Sequence, residues 1–166
     1  MRYALLLGLL FLPYSSLASV AITEIAWMGD SVSANYEWIE LFNSGAAVLV
    51  DGWILHDANN LTIELTGTIP ANQSVVLERT SDASAPGAAF LLYTGALTNS
   101  GATLVLRNAD GAVVDQVVGG DGWENIGGNN DTKDTAQLVG GTWKTAPATP
   151  GSPPDTTATE TATETE

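Results

Sequence analysis

Few residues of this chain are suited to chemistry. Glu24, Glu37 and Glu40 fall in two short β-favouring runs, and paired carboxylates across a cleft are the equipment of acid–base hydrolysis. A solvated sheet face accounts for the same three side chains without any activity, and no further pattern selects the catalytic reading. His56, the single histidine, stands beside Asp57. No Gly-x-Ser-x-Gly elbow supplies a nucleophile for it, so it is read as a strand-end histidine facing solvent. With no cysteine and one histidine, a zinc site has only oxygen ligands to draw on.

Oxygen-rich loops suit calcium better. Asp121, Asn125, Asn129, Asn130, Asp131 and Asp134 crowd one Gly-rich stretch around Trp123. Asp121, Asp131 and Asp134 are the candidate calcium ligands, although EF-hand spacing fails: aligning Asp110-Gly111 on loop positions five and six puts Leu106 first and Val117 last. Trp123 with Asn125, Asn129 and Asp131 is the candidate binding surface, a loop tryptophan among polar neighbours. Against it stands the ordinary use of tryptophan as core packing. Gly119-Gly-Asp-Gly122 has no basic residue and no following helix, so nucleotide binding gains no support.

The elements that must position these residues read as strands. Runs at 20–27, 36–42, 48–50, 53–56, 61–65, 75–78, 90–93, 103–107, 113–118 and 136–139 are separated by turn residues such as Asp51-Gly52, Pro86-Gly87 and Asp110-Gly111. No helical stripe is sustained after the first residues, and the spacing predicts an all-β antiparallel sandwich or barrel. Thr103-Leu-Val-Leu-Arg107 and 112–118 form the clearest hairpin, with Leu104 and Leu106 on its core face. In Glu37-Trp-Ile-Glu-Leu41, an acidic Glu40 sits badly in a core, so Ile39 and Leu41 point inward. Trp53, just after Asp51-Gly52, is the expected central core aromatic.

The 166 residues carry 19 acidic against 5 basic side chains, a net charge of −14 that disfavours nucleic acid. Residues 1–18 have the layout of a secretory signal peptide: Arg2, a short apolar run interrupted by Pro13, and a small-x-small site at Ser16-Leu-Ala18. No second apolar run follows, so no membrane insertion is expected after cleavage. An exported domain with no cysteine fits a bacterial source. Residues 19–150 make the domain; 151–166, ending DTTATETATETE, read as a disordered Thr/Glu-rich spacer.

The ordered set Val20-Ala-Ile-Thr-Glu-Ile25, Gly29, Glu37-Trp-Ile-Glu-Leu-Phe-Asn43, Val50-Asp-Gly-Trp-Ile-Leu55, Ile69-Pro-Ala-Asn-Gln-Ser-Val-Val-Leu77, Leu97-Thr-Asn-Ser-Gly101, Asp110-Gly111, Val114-Asp115 and Thr149-Pro-Gly151 resembles the lamin tail domain in its bacterial, exported form. The resemblance implies an immunoglobulin-like antiparallel β-sandwich with no enzymatic activity of its own. A signal peptide stands where nuclear lamins carry a coiled-coil rod, so filament roles do not transfer. The expectation is therefore a noncatalytic secreted or cell-surface interaction module that binds a protein or glycan, or serves a structural role, and needs no cofactor. The alternative is an accessory domain of an extracellular hydrolase or nuclease whose catalytic part lies elsewhere.

Overall fold

The computed structural model describes residues 20–58, 61–85, 87 and 89–155. The expected export signal over 1–18 and the Thr/Glu-rich segment beyond 155 lie outside the described residues. The described chain forms β1 (Val20–Ala26), β2 (Trp38–Asn43), β3 (Val48–Leu49), β4 (Ile54–His56), β5 (Thr62–Glu64), β6 (Thr68–Ile69), β7 (Gln73–Arg79), β8 (Leu91–Tyr93), β9 (Thr103–Arg107), β10 (Val113–Val118), β11 (Thr135–Val139) and β12 (Thr142–Ala146). A six-stranded sheet runs β12-β11-β1-β2-β7-β8, a four-stranded sheet runs β10-β9-β4-β5, and β3 pairs with β6. These make the immunoglobulin-like sandwich.

Alternation decides what faces inward. Ile22, Ile25, Ile39, Leu41 and Leu77 of the larger sheet meet Leu55, Ile63, Leu104 and Leu106 of the smaller one, all buried. Each such side chain stabilises the fold by about 2 kcal/mol through removal from water. An extra residue in β1 between Ile22 and Glu24 resets the phase, so that Glu24 points out and Ile25 points in. At that bulge the Ile22 N–H donates to Asp115 Oδ2 of β10 at 2.7 Å, joining the two sheets. Asp115 itself follows a register shift in β10.

Three departures from the sequence reading have physical causes. The β7–β8 pair is parallel, because after β7 the chain folds back over the sheet before returning. Glu78 Oε2 holds that return, accepting the Ser84 and Ala85 N–H groups at 2.9 and 3.0 Å. β12 lacks a strand signal in the sequence, since Thr-Trp-Lys-Thr-Ala at an exposed edge shows little apolar alternation. Trp53 is only half-buried at the margin of the core; the central aromatic is Trp123, 0% exposed and stacked on Trp27 with ring centroids 6.1 Å apart.

Candidate functional site

Glu24 and Glu40 are direct cross-strand partners on the outer face of the six-stranded sheet. Their place on an outer face would expose them, yet they are only 2% and 1% exposed. The cover is the chain after β12, which crosses the sheet as a strap at 149–155. Glu24 Oε1 accepts from Thr135 Oγ1 at 2.5 Å, the Thr149 N–H at 2.9 Å and Gln137 Nε2 at 3.1 Å. Glu24 Oε2 accepts from Thr149 Oγ1 at 2.7 Å. Glu40 Oε1 accepts from Thr23 Oγ1 and Oε2 from the Gly151 N–H, both at 2.8 Å. The Gly140 N–H donates to Asp155 O at 3.0 Å, so the docked chain runs past the expected boundary at 150.

A cleft of about 150 Å3 lies between strap and sheet, lined by Thr23, Glu24, Glu40, Gln137 and Thr149 among others. Burial pushes the Glu40 carboxyl up to about 7, with the Glu24 charge adding to it; hydrogen bonds from Thr23 and Gly151 act the other way. A carboxyl near neutrality in a cleft is a common mark of an acid–base site. Here all four oxygens of the pair are occupied by donors of the chain itself. The arrangement therefore acts as a clamp, and the expected solvated face does not exist.

Glu37 is buried apart from this pair. Its Oε1 accepts from Arg79 Nη1 and its Oε2 from the Leu97 N–H, at 2.8 and 2.7 Å. Burial raises its carboxyl despite these two donors. The Tyr93 phenol, unpartnered among the described residues, is pushed up by its own burial and by the Glu37 charge. His56 is half-buried on the smaller sheet, with Nε2 accepting from Arg107 Nε at 3.2 Å. Asp57 Oδ1 accepts the Leu61 N–H at 2.9 Å and closes the β4–β5 turn.

The loop candidates separate. Trp123 is a core residue, its Nε1 donating to Thr98 O at 2.8 Å, so its ring offers no surface to a ligand. Its place is fixed by close loop packing: Gly101 has φ +92, and a Cβ there would overlap Gly120 O. Asn125 is exposed. Asn129 Oδ1 accepts the Asp131 and Thr132 N–H groups at 2.8 and 3.1 Å, and Asp134 Oδ2 accepts from Thr132 Oγ1 at 2.7 Å. Asp121 lies in the first turn before Trp123. Among the described residues no three acidic or histidine side chains converge to hold a metal, so Asp121, Asp131 and Asp134 are not brought together as a calcium site.

The family model for the Lamin Tail Domain matches residues 13–121. The chain belongs to the lamin tail domain family. No curated protein matches it in direct sequence comparison. In this lamin tail domain the match stops short of β11, which pairs with β1 through Glu24↔Gln137 and Ile25↔Ala136. The clamp on Glu24 is thus completed by residues beyond the matched segment. Thr135, Gln137 and Thr149 had no signal as partners of Glu24 in the sequence, being more than a hundred residues away from it.

Proposed function

We propose that this lamin tail domain is a noncatalytic, secreted or cell-surface interaction module of bacterial origin that binds a protein or glycan. One observation carries the reading: the only paired carboxylates singled out as acid–base candidates spend every oxygen on the chain's own donors. A hydrolytic pair needs an oxygen facing the substrate or an attacking water. The signal-peptide layout of residues 1–18 and the missing cysteines support an extracytoplasmic place. With 15 acidic and 4 basic residues between 19 and 150, the domain repels polyanions.

With Glu24, Trp38, Glu40 and Glu78 buried on the outer face of the larger sheet, the outer face of the smaller sheet is the more open of the two. There Gln116, Val118, Thr62 and Glu64 are exposed, and Val105, Arg107 and His56 are half-buried. A screen of the purified protein on esters, phosphoesters and glycosides tests the reading. No turnover is expected, and turnover abolished by Glu24→Gln with Glu40→Gln would overturn it. Cell fractionation with N-terminal sequencing tests the location: the mature chain is expected outside the cytoplasm and to begin at Ser19.

A further inference from the structure

The two sheets end side by side at β5 and β8, each the last strand of its sheet. A groove of about 480 Å3 opens between them, lined by Thr62, Ile63, Glu64, Leu91, Leu92 and Tyr93, with Thr94 at its end. Asp57 N–H donates to Leu61 O and Leu65 N–H to Trp53 O, which places residues 61, 63 and 65 in hydrogen-bonded register with β4. By the alternation of an antiparallel ladder, Thr62 and Glu64 turn their N–H and C=O groups away from β4, toward the open edge. Leu92 of the facing strand is 51% exposed.

Charge selects the occupant. Glu64 makes no hydrogen bond or ion pair among the described residues, and no cation lines the groove. On the same sheet Arg107 is two strands away across Ile54, bonded to His56 and Gly111. A second copy would bring another chain of net charge −14 to the same edge. A short edge strand carrying a charge is also the usual guard against self-pairing. Neither feature excludes a positively charged partner.

We propose that the β5 edge takes an extended peptide by strand addition, with apolar side chains on the inner side against Leu91 and alternate basic side chains on the outer side beside Glu64. The period of two in a strand puts successive side chains on these two sides, and the backbone groups of Thr62 and Glu64 supply the main-chain bonds. The inference rests on the interaction-module reading and gives it a partner of stated chemistry.

The probe is a synthetic peptide of about seven residues alternating Lys and Val, at ~3.3 Å per residue long enough to overrun β5. Its control is the same peptide N-methylated at alternate backbone amides, which keeps the charge and removes strand bonds. Amide shifts of the folded, full domain are followed during titration. The expected result is binding mapped to 62–64 and 91–94, about tenfold or more weaker for the methylated peptide. Glu64→Lys should weaken it about three- to tenfold without unfolding, its side chain being exposed. Equal binding of the two peptides, shifts elsewhere, or no binding overturns the proposal. Each of those results leaves the noncatalytic reading standing, because that reading falls only on turnover.

Discussion

Replacing Glu40 by Gln should flatten the dependence of stability on pH. In the folded chain the Glu40 carboxyl is pushed from 4.5 to about 7, above all by burial. The folded state then holds this proton more tightly than the unfolded state does. Its contribution is fully present below pH 4.5 and is lost as the pH rises through 7, opposite in sign to ordinary acid denaturation. At 1.36 kcal/mol per unit the full loss is about 3 kcal/mol, or roughly 6–12 °C in Tm for a domain of this size. Glu37 and Glu78 are also raised by burial, with the same sign, and cancel in the comparison of variant with parent. At acid pH the folded parent is itself protonated there, so Gln, like it, offers a carbonyl to the Gly151 N–H and a donor to the Thr23 hydroxyl, and the variant should stay within about 1 kcal/mol of the parent. It should match or exceed the parent above pH 8. Urea denaturation of both proteins at pH 4 and pH 8 measures the difference. Equal pH dependence in the two would refute the placing of a buried, proton-retaining carboxyl at this position.

Other perturbations read separate parts of the account. Trp123→Ala should cost about 3–5 kcal/mol in urea denaturation, because it empties a core position and strips the stacked ring from Trp27; a cost under 1 kcal/mol would place the ring at the surface. Asp115→Ala should cost roughly 1–3 kcal/mol by leaving the Ile22 N–H at the β1 bulge unpaired, and amide exchange at Ile22 should speed up first. Thermal unfolding in calcium against EDTA should give the same Tm, and a rise of several degrees with calcium would show that Asp121, Asp131 and Asp134 do assemble a site.

The fold was largely legible because its signals are local. Leu104 and Leu106 alternate cleanly with their neighbours, and Asp110-Gly111 marks the turn that pairs β9 with β10. Ile39 and Leu41 point inward as the unfavourable burial of Glu40 implied, while Glu40 is buried all the same on the other face. That burial was illegible because its cause is remote: Thr149 is 125 residues from Glu24 and Gly151 is 111 from Glu40. Trp123 was misplaced for a related reason. Its Gly-rich, acidic surroundings look like a solvent loop, but Gly119 and Gly101 let backbone and ring pack closer than any side chain would permit. Residue types announce strands; which polar faces are roofed depends on where the distant chain lands.

Native-state hydrogen exchange at the Thr149 and Gly151 amides tests the central claim that the carboxylate pair holds the chain and is not open to a substrate. Both amides should be strongly protected, and both should lose protection in Glu24→Ala with Glu40→Ala while the amides of β9 and β10 keep theirs. Free exchange of Thr149 and Gly151 in the unaltered protein would contradict it, since the two carboxylates would then face open solvent.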